Sequence, residues 1–276
     1  MSKKDKEFYR SAIENMMTES FYYEWLKEIS LSMFEWKNLP STIDVRALEE
    51  TLFDRGFALF FEDEVMGFLG LPGNNSGNLD VYGYPINRRA YGINGYNKEL
   101  TNKDSVLILN NYTMTPCAPK ITNFSLKLYN IDRTINTNVN AQKTPIAIKC
   151  NEKQKLSMIN LYQQYEGNVP LICTYDDLNF DGFTVLKTDA PYVADKLMET
   201  KTQIFNEALT YLGIPNTSYM KKERMITDEV NRNQGGTLAS KYGRLEMRQD
   251  ACRKINEMFG LNIWCEFRTE GDSINE

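Results

Sequence analysis

The chain has 276 residues and a formal net charge of −5, with 42% hydrophobic and 25% charged residues, which suits a soluble globular protein of one large or two ordinary domains. It contains no histidine, so Ser-His-Asp and Cys-His catalysis and histidine-based metal sites are excluded. No stretch approaches the roughly 18 apolar residues of a membrane span, and without a GxxxxGK[ST] loop ATP hydrolysis by this chain is not expected.

The opening residues MSKKDKEFYR carry charge but no apolar run, so they do not read as a secretory signal. Residues 5–36 are predicted to form one long helix, because Ile13, Met17, Tyr22, Trp25, Ile29, Met33 and Trp36 recur mostly every three or four positions. Pro40 stops it, and Asp44 or Thr42 is placed to cap a short helix running through Phe53 to Gly56. Residues 57–115 change character. Gly, Asn, Tyr and Pro are frequent, and GFALFFED, LDVYGYP and DSVLILNNY read as short strands in a small β-rich unit. The glycine-rich stretch GLPGNNSGN (70–78) lacks the lysine and the following helix that a phosphate-binding loop needs.

Residues 119–141 carry Ile121, Phe124, Leu128, Ile131, Ile135 and Val139 at helical spacing. A compact α/β pattern follows over 144–188: strand TPIAIKC, helix EKQKLSMINLYQQYEG, then strands VPLICTY and GFTVLKT. The next helix has Thr188 or Asp189 as cap, Pro191 in its first turn, and Gly213 with Pro215 at its end. Its apolar side holds Val193, Leu197, Ile204, Ala208 and Tyr211, and its polar side mixes Asp195, Lys196, Glu199 and Glu207. Residues 216–236 show no periodicity and read as a mobile loop, followed by a helix over 244–259 and a last strand, LNIWCEF. The α/β unit thus interrupts two long helices, which are expected to run antiparallel and carry it at their far end.

Several residue groups invite functional readings. The acidic run FEDE (61–64), with Asp44, Glu49, Glu50 and Asp54, reads as a solvated outer face rather than a metal site. Trp25, Trp36 and Trp264 read as core or subunit-interface residues, and Tyr162, Tyr165 and Tyr175 suit packing or partner contacts. The five cysteines, Cys117, Cys150, Cys173, Cys252 and Cys265, are odd in number and scattered, which fits free thiols. The segment KKERMITDEVNRNQGG (221–236) has three basic side chains in its first four residues; taken alone it is a surface loop.

The stretches FEWKNLPSTI (34–43), NAQKTPIAIK (140–149), YQQYEGNVPLI (162–172), KTDAPYVADKL (187–197), YLGIPN (211–216), KKERMITDEV (221–230) and KINEMFGLN (254–262) resemble, in order, the upper collar (head–tail connector, or portal) proteins of phi-29-like small podovirus phages. The resemblance implies an α+β portal fold. In that fold 1–118 is a wing whose β-rich unit is expected to be an SH3-like barrel, 119–143 and 189–213 are stem helices, and 144–188 is an inserted α/β clip. Residues 214–240 are the channel loop, and 241–276 return to the wing with a helix, a strand and a short tail. The ending after WCEFRTEGDSINE departs from the family's longer C-terminal crown.

By the same resemblance the chain is a non-enzymatic subunit of a ring, expected to be a dodecamer, at one capsid vertex, with no metal or cofactor. Double-stranded DNA passes through the ring during packaging and ejection, without sequence-specific reading. Partners implied are the major capsid and scaffold proteins, a separate packaging ATPase and the lower collar or tail protein. A membrane is not among them. The implied location is the virion's head–tail junction, after synthesis in the host bacterial cytoplasm. Lys187, Lys196, Lys221, Lys222 and Arg224 are the implied DNA-channel residues. Lys3, Lys4, Lys6 and Arg10 are either a disordered tail, offset by Asp5 and Glu7, or a contact for a packaging RNA or the motor. Competing readings are another ring-shaped adaptor of the lower collar type and a Mg²⁺-dependent nuclease.

Overall fold

A computed structural model describes residues 3–75, 77–142, 146–149, 171–174, 191–215 and 227–268. The chain divides into two compact units, Met1–Leu128 with Ile204–Glu276, and Tyr129–Gln203.

In the first unit, helix α1 (Lys3–Leu31) leads to strand β1 (Phe34–Lys37) and helix α2 (Val45–Arg55). The predicted helix to Trp36 is therefore too long. Residues 34–37 alternate buried and half-buried, the period of a strand. Their backbone partners come from the other end of the chain, strand β10 (Trp264–Phe267), antiparallel with Phe34 opposite Phe267 and Trp36 opposite Cys265. Helix α2 starts at Asp44, whose carboxylate accepts the Ala47 N–H at 3.1 Å, and ends at Gly56 in the left-handed conformation. A side chain at Gly56 would sit 2.4 Å from the Met114 carbonyl oxygen, so the position is closed to other residues by both φ and space.

Six strands follow: β2 (Phe57–Asp63), β3 (Gly67–Leu71), β4 (Gly73–Asn75), β5 (Asn87–Tyr91), β6 (Asn97–Thr101) and β7 (Ser105–Leu109). They form two three-stranded antiparallel sheets, β3-β2-β7 and β4-β5-β6. Strand β2 is buried on both faces. Ala58 and Phe60 join the main core with Leu48, Leu52, Phe53 and Ile108, while Leu59 and Phe61 form a second small core with Ala90 and Leu100. That double burial explains the unbroken apolar run FALFF, which alternation alone would not produce. The predicted strand LDVYGYP is instead a turn joined by one bridge, Leu79 to Pro85. The Asp80 carboxylate accepts N–H bonds from Tyr82 and Tyr84 at 2.9 and 2.8 Å, and Gly83 takes a positive φ, so the side chain closes a turn that a strand would open.

Helix α3 is Ala118–Ala141, helix α4 Ala194–Leu212 and helix α5 Thr227–Phe259. Strands β8 (Ile146–Lys149) and β9 (Leu171–Thr174) pair in parallel. The predicted helix 152–167 and strand 182–188, with Tyr162, Tyr165 and Tyr175, lie outside the described residues. Helix α4 begins later than predicted, leaving Pro191 before it; Thr188 and Asp189 are outside the described residues. Asn138 of α3 accepts the Val193 N–H at 3.1 Å and donates to the Pro191 carbonyl at 3.0 Å. The residues ahead of α4 are thus bound to a neighbouring helix. At the other end of α4, the Ile214 N–H reaches the Leu209 carbonyl and the Gly213 N–H the Thr210 carbonyl, a Schellman closure. A Cβ at Gly213 would meet the Lys241 backbone at 2.6 Å.

The predicted loop over 216–236 needs correction as well, because α5 is already helical at Thr227 and runs through Gly235 and Gly236. Two glycines weaken a helix by about 1 kcal/mol each. Packing farther along offsets that cost: Thr237 is buried, and the Ser240 hydroxyl donates to the Tyr211 carbonyl. No helix among the described residues is long and apolar enough to cross a membrane.

The acidic face expected on α2 is only partly solvated. Glu49 is buried, and its carboxylate takes Arg248 of α5 at 2.7 and 2.9 Å and the Trp36 indole N–H at 2.8 Å. Around it, Glu50 pairs with Lys27 and Arg46. Asp63 accepts from the Tyr96 hydroxyl and then the Val65 and Met66 N–H groups, which together hold its carboxyl well below the usual range. Phe61, inside the same acidic run, is fully buried.

Three outcomes are expected. Replacing Arg248 by methionine leaves Glu49 buried without a counter-ion and costs about 3–5 kcal/mol in urea denaturation followed by circular dichroism; adding Glu49→Leu recovers part of the loss. Asn138→Ala removes both bonds ahead of α4 and costs about 1 kcal/mol, read as faster amide exchange over its first turn. Cys117, Cys252 and Cys265 are free and buried, and burial pushes the Cys252 thiol up to about 12. All three should resist a maleimide at pH 8 in the folded chain and react in urea, with mass spectrometry of peptides locating the label.

Candidate nucleic-acid interface

Positive charge in this protein is of two kinds. Arg244 and Arg248, one turn apart on α5, point inward and are almost fully buried. Arg248 lies over the Phe34 ring, 3.8 Å from its centroid, and also donates to the Asn110 and Arg244 carbonyls. Arg244 donates to the Cys117 sulfur at 2.8 Å and to the Tyr211 carbonyl at 3.1 Å, and stacks on the Tyr211 ring. Burial, followed by the Cys117 sulfur, pushes the Tyr211 phenol up to about 12. These two arginines are structural, since neither is open to a phosphate.

The second kind is exposed, and on the long helices it includes Lys120, Lys127 and Lys196. Of the residues expected to face DNA, Lys196 is described. It is exposed in the first turn of α4, and its carbonyl accepts the Thr200 hydroxyl at 2.9 Å. Carboxylates at Asp195, Glu199 and Glu207 are exposed along the same helix, so this face is mixed in sign. Lys187, Lys221, Lys222 and Arg224 lie outside the described residues. Lys3, Lys4, Lys6 and Arg10 fall in the first turns of α1, where only the backbone is described. Among the expected basic residues, Lys196 is thus the one whose side chain is described.

Helix α3 supplies cations that sequence inspection passed over. Lys120 and Lys127 are exposed, with Lys120 4.9 Å from the Tyr211 ring centroid and Lys127 5.6 Å from that of Phe124. In the second unit Arg133 is also exposed and bonds the Tyr129 hydroxyl at 2.8 Å. A signal was present: Asp132 is the only acid in the helix, and it is paired with Lys201 of α4 at 2.7 Å. The spacing of contacts between α3 and α4 also gives their direction. Phe124 meets Tyr211 in the first unit; in the second, Asp132 meets Lys201 and Asn138 meets Val193. Within the second unit the two helices run antiparallel.

Chemically, the described residues offer ordinary cations and hydrogen-bonding groups. Among them no group of three or more Cys, Asp or Glu is gathered as a metal would require. One cleft, about 590 Å³, is lined by Arg88, Ser105, Tyr112, Asp250, Lys254 and Glu257 with apolar neighbours. Its charges are mixed: Asp250 is held by Arg253 and Lys254, and Arg88 is turned to the Pro85 and Ser105 carbonyls.

Two comparisons place this architecture. The chain is similar to a solved structure of the portal and tail of native bacteriophage P68, with 14% identity and a TM-score of 0.52 over 99% of this chain and 93% of the other. At that identity the likeness speaks to the fold: long helices and small antiparallel sheets arranged as in a phage portal protein. Residues 7–271 match the family model for Phage Connector (GP10). With the match running through nearly the whole chain and the fold in agreement, the protein belongs to the phage connector family, whose members are structural portal components of the phage particle.

Proposed function

We propose that this protein is the portal subunit of a tailed phage, assembled as a ring, a dodecamer, at one capsid vertex. The ring is the channel for double-stranded DNA on packaging and ejection and the attachment site for the tail. The observation that carries this reading is the family match across residues 7–271. On this reading α3 and α4 form the stem, and 144–188 form the clip. Helix α2 with the two three-stranded sheets, together with α5 and β10, forms the wing, with the β-rich unit standing where the family has its SH3-like barrel. The ring binds the major capsid and scaffold proteins, a packaging ATPase and the lower collar or tail protein. It is made in the host bacterial cytoplasm and ends at the head–tail junction of the virion, without catalysing a reaction itself.

A conduit must let DNA slide, and each neutralised phosphate adds salt-dependent affinity that slows it. The mixed-sign face of α4, with Lys196 among exposed carboxylates, suits that requirement. Symmetry turns one lysine per subunit into a ring of charge, which meets phosphates without reading bases. Lys187, Lys196, Lys221, Lys222 and Arg224 are assigned to that contact. The segment carrying Lys221, Lys222 and Arg224 precedes α5, which is helical from Thr227, and its role is to restrain backward slip of packaged DNA. Lys3, Lys4, Lys6 and Arg10 are assigned to a packaging RNA or the motor.

Electron microscopy of the purified protein should give hollow rings whose class averages count the subunits. Rings without an open channel would end the conduit reading. Deleting 219–225, which spares α5, should leave rings intact and yield particles that lose DNA after packaging, measured as the fraction of full heads. Full heads at the wild-type level would remove the loop's role.

A further inference from the structure

Helix α1 presents an apolar stripe that its own chain leaves largely exposed. Met17, Phe21 and Trp25 follow one another at four-residue steps and are 66%, 58% and 42% exposed. The face is held in place from within: the Phe21 and Trp25 rings are 5.7 Å apart, and Trp25 lies 4.5 Å from Phe205. Beside this stripe, Glu24 and Glu28 are exposed and make no ion pair among the described residues, while the neighbouring Lys27 is turned to Glu50 at 2.7 Å. The outward side of α1 is therefore apolar and negative.

The matching surface is on α3. From Ala118 to Leu128 this helix has no acidic residue. Lys120 and Lys127 are exposed there without a carboxylate partner among the described residues, and Leu126 beside them is 38% exposed. One chain cannot bring these two surfaces together. The edge of α3 that faces α1 is the Thr122 and Ser125 side, which lines a groove with Glu19, Tyr23 and Glu24. At 100° per residue, Lys120 and Lys127 sit roughly 140–160° around the helix from Thr122. They lie instead toward the Phe124 and Tyr211 rings. Two complementary surfaces on different flanks of one subunit define a head-to-tail contact, and a contact of that kind closes into a ring when the rotation allows.

We infer that the Met17–Phe21–Trp25 face of one subunit, with Glu24 and Glu28, packs against the Lys120–Lys127 face of α3 in the next copy. This rests on the ring reading above and adds to it the residues that join neighbours. The aromatic stripe supplies the buried centre, and the charge pairs set direction and exclude a symmetric face-to-face dimer, in which glutamates would meet glutamates.

Charge reversal tests it, with assembly read by native mass spectrometry and light scattering and helicity by circular dichroism. E24K/E28K and K120E/K127E should each raise the protein concentration needed for half-assembly at least tenfold. The two variants mixed should form rings in which they alternate one to one, because each then meets the opposite charge on both sides. A variant that failed to fold would not be restored by mixing. If both variants assemble as the wild type does, or if the mixture stays as defective as its parts, the α1–α3 contact is wrong while the ring reading stands. A wild-type chain that remains monomeric at every concentration, alone and with scaffold and capsid protein, would overturn the ring itself.

Discussion

The buried pair of Glu49 and Arg248 is the constraint on which the first unit is organised. Two charges removed from water are tolerable only if each finds its partner with good geometry, and here the partners are 199 positions apart. Helix α2 supplies the carboxylate and α5 the guanidinium. Strand β1 contributes Trp36, which donates to the same carboxylate, and Phe34, which lies under the guanidinium. Asn110, just after β7, accepts two further bonds from the guanidinium. Sliding any of these elements by a residue would leave a buried charge uncompensated, so the network selects one register among arrangements that hydrophobic burial alone would not separate.

One turn earlier on α5, Arg244 extends that control to the long helices. Its contacts are Cys117, at the start of α3, and the Tyr211 carbonyl, near the end of α4. The roots of both helices are thus set against α5, and Gly213 lets the backbones of α4 and α5 approach where a side chain would collide. This arginine has no carboxylate neighbour among its contacts, and its Nε and the Tyr211 hydroxyl are buried without hydrogen-bond partners. The site spends stability to place two helix ends. A subunit proposed to surround a moving polymer has use for such placement, because the stem helices would transmit load to the wing through their roots.

The division of charge follows the same logic. Arginines with planar, multiply bonded contacts are inside, where several donors must be satisfied at once. Lys120, Lys127 and Lys196 are on exposed faces of α3 and α4, solvated or over aromatic rings. Counting basic residues along the chain does not separate these classes. Arg244 and Arg248 were not singled out from the sequence, and Glu49 was grouped with a solvated face, although all three are core residues.

By itself the sequence determined the elements whose signals are local. Asp44 and Gly56 bound α2 because a carboxylate caps its first turn and only glycine fits the left-handed end. The apolar periodicity of 119–141 and the Gly213 stop likewise mark α3 and the end of α4, since a helix satisfies its own backbone and needs no distant partner to be legible. Family membership was also readable there, through ordered stretches spread along the chain. Tertiary structure alone decided what depends on distant partners. Residues 34–37 leave the helical pattern for a strand because β10 offers them a ladder. Gly235 and Gly236 stay helical because the helix beyond them is anchored by packing. Residues 79–85 turn instead of extending because Asp80 captures two backbone N–H groups. Whether a charge is solvated or buried is settled only when elements far apart in the chain close around it, and no local pattern carries that information.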